Sequence, residues 1–268
     1  MKYHISYACT SHVGHCRSMN QDNFICDGKY MDPEKEPMTF PLIGSLTPGV
    51  SPVIGIFDGM GGEACGEIAS LLAASEAAKM AGTESPEKDL KALCQRINEK
   101  IYRYADENDT GSMGTTAALL SFADHKIALC NIGDSKIFRF SDQRLEQLSV
   151  DHVAIGVFGR KPPLSQNLGI PPSEMLIDPY IAVGKYHHND VYLICSDGLT
   201  DMMSLDEISE ILEKNTIDAA LEALLDQALS NGGKDNITMI LCKIERQSLL
   251  KRIFNLKENR KEDYNHVG

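Results

Sequence analysis

The segment 54–63, IGIFDGMGGE, constrains the fold more than any other part of the sequence. An apolar run typical of a β-strand ends at Asp58, and three glycines in the next four residues permit a turn that side chains would block. A helical pattern begins at Glu63. Asp58 is therefore predicted at a corner between a strand and a helix, where its carboxylate can face a site.

Further aspartates share this kind of setting, close to an apolar run and to glycine or asparagine: Asp22, Asp134, Asp197 and Asp235. Gathered at one edge of a sheet, such carboxylates would repel each other. Mg²⁺ and Mn²⁺ relieve this repulsion, since both prefer oxygen ligands. A pair of such ions can activate water and polarise a phosphoryl group, which predicts hydrolysis of a phosphate ester. For any single aspartate an ordinary Asp-Gly turn is the simpler explanation, so the argument depends on the whole set.

The order of predicted elements indicates the fold class. Helical periodicity marks 63–80, 85–104, 204–214 and 217–228, and apolar runs predict strands at 3–8, 24–26, 53–57, 115–122, 126–132, 136–140, 144–148, 191–195 and 236–244. The short spacing within 115–148 favours an antiparallel meander. Because strands and helices do not alternate regularly, we expect an α+β fold, with two antiparallel sheets and helix pairs on the outside.

Three of the helices carry local signals. In the first, an apolar stripe is expected to cover a sheet; it comprises Ala64, Ile68, Leu71, Leu72 and Ala78. Ser85 is a candidate cap of the second helix, with Pro86 at its first position. Ser204 and Glu207 form a capping-box pattern at the start of the third.

Composition excludes several classes of protein. The net charge of −12 argues against nucleic acid as a main partner, because phosphate backbones are bound by clustered Lys and Arg. The eight cysteines form no C-x-x-C pair, so we expect no zinc ribbon and a reducing compartment. We expect no signal peptide and no membrane span, because no apolar run is long enough. The predicted location is the cytoplasm.

Six motifs, in order along nearly the whole chain, resemble the metal-dependent (type 2C) serine/threonine protein phosphatase family. They are 14–22 (GHCRSMNQD), 57–62 (FDGMGG), 114–116 (GTT), 131–135 (NIGDS), 195–201 (CSDGLTD) and 233–238 (GKDNIT). One such motif is weak, whereas six collinear motifs are highly specific. The methionine at position 60 is typical of the bacterial-type members.

The resemblance implies a four-layer α-β-β-α sandwich with two Mn²⁺ or Mg²⁺ ions between the sheets. It implies that water attacks phosphoserine or phosphothreonine without a covalent intermediate, and that phosphoproteins are the substrates, with a cognate kinase as a possible partner. The resemblance implies that Asp58 bridges the two metal ions and that the Gly59 carbonyl binds one of them. It implies that Asp197 and Asp235 hold the first metal ion, that Asp22 helps to hold the second, and that Asp134 helps to bind a third. Arg17 is implied to bind the substrate phosphate.

The chain departs from the family pattern at three motif positions: Gln21 replaces the common glutamate, Met60 replaces the histidine of animal-type members, and Lys136 replaces the usual arginine. We expect one catalytic domain over 1–245, with an insertion at 28–52 and a flap at 151–170 that looks shortened. The remainder, 246–268, is a charged tail with one apolar helical turn.

Two alternatives remain open. A pseudophosphatase or regulatory binding module on the same fold would lack metal-binding acids, and this chain has them all. A haloacid-dehalogenase-type phosphatase would need an Asp-x-Asp pair at a strand end, which the sequence does not contain in such a setting. The histidines are expected in surface or loop roles, and the chain is expected to be a monomer.

Overall fold

A computed structural model describes residues 3–49, 53–61, 65–80, 85–123, 126–155 and 162–246. Its strands are β1 Tyr3–His12, β2 Asp22–Ile25, β3 Leu42–Leu46, β4 Ile54–Gly61, β5 Met113–Thr115, β6 Ala117–Ala123, β7 Lys126–Ile132, β8 Lys136–Ser141, β9 Arg144–Gln147, β10 Tyr180–Gly184, β11 Val191–Cys195 and β12 Ile237–Arg246. Its helices are α1 Cys65–Ala77, α2 Pro86–Asn108, α3 Asp197–Thr200, α4 Leu205–Lys214 and α5 Ile217–Ser230.

The strands form two sheets that pack face to face. One has the order β3-β1-β12-β11-β8-β9, and the other has β10-β7-β6-β4-β2, with β5 paired to β4. The named strand pairs are antiparallel, as the sequence predicts. Large side chains such as Tyr7, Phe24 and Tyr192 fill the space between the sheets.

Helices cover the outer faces of both sheets and complete four layers. One apolar cluster joins α1 and α2 to the sheet that contains β4, and a second joins α4 and α5 to the sheet that contains β12. The predicted α-β-β-α sandwich is thus confirmed. The capping box at Ser204 and Glu207 is also present. Within the described residues, no helix combines the length and apolar character needed to cross a bilayer.

The predicted meander over 115–148 is wrong. Strands β6 and β7 belong to one sheet, whereas β8 and β9 belong to the other. The chain crosses between the sheets at Gly133, whose φ of 98° is readily available only to glycine. Asp134 consequently lies at a corner between two sheets. Strand periodicity could not reveal this crossing, because it does not report which sheet a strand joins.

The first helix packs on the sheet mainly through residues outside the predicted stripe, although Ile68 and Leu72 of that stripe also contact the cluster. Small residues, chiefly Ala69, Ala73 and Ala77, are buried against the sheet, which lets α1 lie close to Phe57. Leu71 instead borders a cavity. Ser85 occupies the N-cap position of α2 and Pro86 its first position, as predicted, but the Ser85 side chain makes no capping hydrogen bond; its carbonyl accepts bonds from the first turn.

Three strands were not anticipated. Strand β3 lies inside the stretch 28–52, which was predicted as a loop, and pairs with β1. Strand β5 separates from β6 at Thr116 and pairs with the Gly-rich end of β4. Strand β10 is added at the edge beside β7. The apolar turn expected in the tail lies outside the described residues.

Candidate metal centre

Three aspartates from separate parts of the chain converge at one end of the sandwich. Asp58 lies in β4, Asp134 follows β7, and Asp197 begins α3 directly after β11. One carboxylate oxygen from each lies within 4.8 Å of the others. Asp134 and Asp197 are buried, with 7% and 9% of their surfaces exposed. The strand-to-helix corner predicted at Asp58 is wrong, because β4 continues through Gly61 and pairs there with β5. The carboxylates nevertheless form a cluster of hard oxygen donors, the kind that Mg²⁺ and Mn²⁺ prefer.

The three carboxylates border a cavity of about 420 Å³. Arg17, Gly59 and Asp235 border it as well, so the structure brings together six of the seven residues predicted for the site. The exception is Asp22, which does not border this cavity. Asp22 is the cross-strand partner of Asp58, and its side chain accepts a 2.8 Å hydrogen bond from the hydroxyl of Ser196.

Burial dominates the electrostatics of Asp22. The residue is 2% exposed, and loss of solvation raises the pKa of its carboxyl to about 6, although hydrogen bonds from Thr238 and Ser196 act in the opposite direction. The nearby Asp235 also raises this pKa. A buried negative charge directly behind Asp58 would be stabilised by a bound cation.

This pKa predicts an unusual dependence of stability on pH in the presence of a chelator. An ordinary aspartate has a pKa of about 3.9, so between about pH 4 and pH 6 the folded protein holds a proton on Asp22 that the unfolded chain has released. The free energy of unfolding should therefore fall as pH rises through this window, by at most about 3 kcal/mol from this group. Urea unfolding at several pH values measures it.

The matched variant for this prediction is Asp22→Asn, which keeps the side-chain shape and removes the titration. It should be more stable than the wild type at pH 7 and should lose this part of the pH dependence between pH 4 and pH 6. Parallel pH profiles for the two proteins would show that Asp22 does not titrate in this range.

Arg17 and Asp235 form an ion pair at the edge of the cavity. The Nη2 atom of Arg17 donates to Oδ2 of Asp235 at 2.7 Å. The Arg17 side chain is 52% exposed, so the guanidinium is held by one carboxylate while much of it faces solvent. This contact, with smaller contributions from Asp58 and Asp22, raises the pKa of Arg17. A planar guanidinium at this position can bind two oxygens of an incoming phosphate.

Hydroxyl groups that the sequence analysis left without a role hold Asp58 in place. The backbone N–H of Asp58 donates to Oγ1 of Thr116, and the Asp58 carbonyl accepts from the N–H of Thr116 and the hydroxyl of Thr115. Thr116 also shares a 2.7 Å hydrogen bond with Ser135, which follows Asp134. The hydroxyls thus connect the chain segments that carry Asp58 and Asp134. The sequence signal for this role was the presence of threonine and serine in the motifs 114–116 and 131–135.

Asn236 is a second positioning residue that sequence reasoning missed. Its side-chain amide donates to the carbonyls of Val13 and Met19, and its Oδ1 accepts from the N–H of Gln21. One asparagine therefore fixes the segment that carries Arg17 beside Asp235. The only sequence signal for Asn236 was its place in the motif 233–238, which did not indicate these contacts.

Two glycines are required by close backbone approach. A Cβ on Gly59 would lie 2.0 Å from the carbonyl oxygen of Gly66, and a Cβ on Gly198 would lie 2.0 Å from that of Asn236. Any side chain at either position would push apart the backbone that presents Asp58 or Asp197. These glycines therefore determine the spacing of the carboxylates.

The three residues that depart from the family pattern all lie near the aspartate cluster or its cavity. Lys136 donates to Asp151 at 2.6 Å and to the carbonyl of Asp134 at 3.1 Å, so it ties the start of the flap to a cluster residue. Met60 and Gln21 both border the metal-site cavity. Of the flap, residues 151–155 and 162–170 are described, and Pro162, Pro163 and Leu164 form one wall of the cavity.

A sequence profile described as Protein phosphatase 2C matches residues 46–231. The chain belongs to the protein phosphatase 2C family. Among curated relatives, the serine/threonine phosphatase stp of Listeria monocytogenes is 31% identical over 210 residues, which cover 71% of this chain and 83% of the relative. The serine/threonine protein phosphatase PstP of Mycobacterium tuberculosis is 31% identical over 209 residues, covering 72% of this chain and 40% of that longer protein.

Solved structures of the protein phosphatase 2C family share the fold. The M. tuberculosis phosphatase PstP/Ppp superposes with a TM-score of 0.74 at 25% identity, covering 91% of this chain and 100% of that one. A catalytic domain of PstP described in complex with two manganese ions gives a TM-score of 0.74 at 26% identity, with the same coverage. The acidic cluster of this chain thus occurs on a fold that holds a manganese pair in a relative.

Proposed function

We propose that this protein phosphatase 2C member hydrolyses phosphoserine and phosphothreonine in proteins at a pair of Mn²⁺ or Mg²⁺ ions. One observation carries the proposal. Three carboxylates lie within 4.8 Å of one another, bordering a cavity that Arg17 also borders. Family membership and a relative with two bound manganese ions support the same reaction.

The residues divide into metal-holding and phosphate-binding groups. Oxygen donors for the two ions come from Asp58, Asp197 and Asp235 and from the Gly59 carbonyl, with Asp22 helping to hold the second ion and Asp134 helping to bind a third. When bound, such a pair of ions supplies an activated water and polarises the phosphoryl oxygens. The buried setting of Asp134 and Asp197 strengthens these interactions, because solvent screens them less.

Arg17 binds and orients the phosphate. Its contact with Asp235 holds the guanidinium at the cavity edge, where phosphate oxygens enter. The hydrogen bonds between Asn236 and the backbone of Met19 and Gln21 keep the segment that carries Arg17 at a fixed place relative to the acids. The alternative of a pseudophosphatase is not favoured, because the acids expected to be lost in such a protein are all present.

Partners and location follow from the same proposal. Substrates are phosphoproteins, and a cognate serine/threonine kinase supplies them. The catalytic domain spans 1–245, with 246–268 as an appended tail, and the chain acts as a monomer in the cytoplasm. Support for a reducing compartment comes from the eight cysteines, all of which are unpaired.

The reaction can be tested with a phosphothreonine peptide in the presence of Mn²⁺, Mg²⁺ or chelator. We expect phosphate release with at least one of the two ions and none with chelator, since the water is activated by bound metal. Restoring activity by adding metal back after chelation is the control for irreversible damage. Failure to release phosphate with either ion would contradict the proposal and favour a regulatory binding role.

A further inference from the structure

A second cavity, of about 610 Å³, lies between the insertion and helix α1. Its walls are mainly apolar and include Met31, Pro37, Met38, Phe40, Ile68 and Leu71. A volume of this size is typical of pockets that bind small molecules. The segment 20–23 separates it from the metal centre: Gln21 borders the metal-site cavity, and the other three residues border this one.

The wall contributed by the insertion is anchored to the core. The side chain of Asn23 donates to the carbonyl of Met31 at 2.9 Å and accepts from its N–H at 3.0 Å. The ring of Phe40 packs edge-on against Phe24, with centroids 5.9 Å apart. Lys35 lies over the ring of Tyr30. These contacts fix the wall that the insertion contributes to the cavity.

Helix α1 presents to this cavity two of the apolar residues that sequence reasoning assigned to the sheet. The alanine face of α1 packs on the sheet, whereas Ile68 and Leu71 border the cavity. Large aliphatic side chains beside an open volume gain stability when an apolar group covers them. They therefore favour a ligand with an apolar body.

Glu67 adds negative charge to this cavity through a side chain that is only partly buried. Its Oε2 atom is buried and has no hydrogen-bond partner within the part of the chain that the structure describes, where no other buried side-chain oxygen or nitrogen shares this state. A buried carboxylate oxygen without a partner is costly. Asp22, Asp32 and Glu36 also border the cavity, and its one bordering lysine, Lys35, is 3.0 Å from Asp32. The side chains that border the cavity therefore carry a net negative charge.

We propose that this cavity is a binding site for a small organic cation, an ammonium group on an apolar body, with the ammonium paired to Glu67 and the body between Met31, Met38 and Leu71. Asp22, which is proposed to help hold the second metal, also borders this cavity, but the proposed ammonium pairs with Glu67 and its binding does not depend on the hydrolytic reaction. It assigns a role to the insertion, whose residues form most of one wall.

The site can be tested with two probes of similar shape, 4-phenylbutylammonium and neutral 4-phenylbutanol. The full chain, saturated with Mg²⁺ and labelled at its methionine methyl groups, would be titrated with each probe and followed by NMR. We expect both Met31 and Met38 signals to move, and the ammonium to bind at least about ten times more tightly than the alcohol, as a charge-assisted hydrogen bond allows. Equal affinities, or unmoved Met31 and Met38 signals, would overturn the proposal.

Glu67→Gln identifies the charge that matters. This variant keeps the size of the side chain and should bind both probes within about twofold of each other, while Glu222→Gln, an exposed position on α5, should keep the wild-type preference. Unchanged selectivity in Glu67→Gln would contradict the pairing. The wild-type comparison of the two probes is decisive even where the variant fails to fold.

A third probe distinguishes a free amine from the side chain of a partner protein. N-acetyl-phenylalanyl-lysine amide carries the same ammonium on a peptide. We expect it to bind more weakly than the phenylbutylammonium ion, because the peptide backbone would bring polar groups into an apolar cavity. If the peptide bound at least ten times more tightly than phenylbutylammonium, the occupant would be a lysine side chain of a partner protein, and the proposal of a small organic cation would be overturned.

Discussion

Asp197→Asn is expected to lower the Mn²⁺-dependent turnover of a phosphothreonine peptide by at least about 10³-fold, or about 4 kcal/mol of barrier. The reason is the convergence of Asp58, Asp134 and Asp197 within 4.8 Å. An amide in place of one carboxylate weakens the attraction for both cations, so the activated water and the polarised phosphoryl group are lost together. Steady-state kinetics at the Mn²⁺ concentration that just saturates the wild type measures the effect.

The same substitution should have the opposite effect on stability. In chelator, the three carboxylates repel one another, so replacing one with a neutral amide should raise the free energy of unfolding by about 1 kcal/mol. The variant should also lose most of the rise in melting temperature that Mn²⁺ gives the wild type. A protein that is more stable yet inactive cannot owe its inactivity to unfolding.

Asp226→Asn is the matched control, since this exposed aspartate lies on α5 within the outer helix layer. It should keep both the wild-type turnover and the response to Mn²⁺. A normal rate in Asp197→Asn would remove the basis for the proposed metal centre.

Much of this site could be predicted from local sequence. Asp58 and Asp197 each follow an apolar run and adjoin glycine, and both border the cavity, although Asp58 lies within β4 and not at its end. The depth of Asp22 could not be predicted in the same way. Its burial depends on Ser196 and Thr238 from the opposite sheet, and local patterns do not specify which residues a distant sheet packs over a side chain.

The fold shows the same division between local and long-range information. The capping box at Ser204 is encoded in four consecutive residues and was predicted correctly. The crossing at Gly133 and the buried face of α1 were not, because each depends on a partner surface far away in sequence. Helical periodicity identified a stripe with Leu71, but it could not show that Ala73 would be preferred for close packing on the sheet.

Arg17→Ala is expected to lower kcat/KM for a phosphothreonine peptide by about 10²-fold, or about 2.7 kcal/mol. The expected loss falls mainly on KM, since the guanidinium binds phosphate oxygens both before and during the reaction. Arg17→Lys should recover part of it, because lysine restores the charge without the planar pair of donors.

Binding of Mn²⁺ separates this role from a structural one. Arg17 donates to Asp235, and removing that competing positive charge should leave Mn²⁺ affinity unchanged or increase it, whereas collapse of the site would weaken it. Arg139→Ala removes a comparable surface pair, with Glu146, and should leave kcat/KM unaltered. A wild-type kcat/KM in Arg17→Ala would show that phosphate is held by the metals alone, while a loss accompanied by weaker Mn²⁺ binding would make Arg17 a residue that positions Asp235.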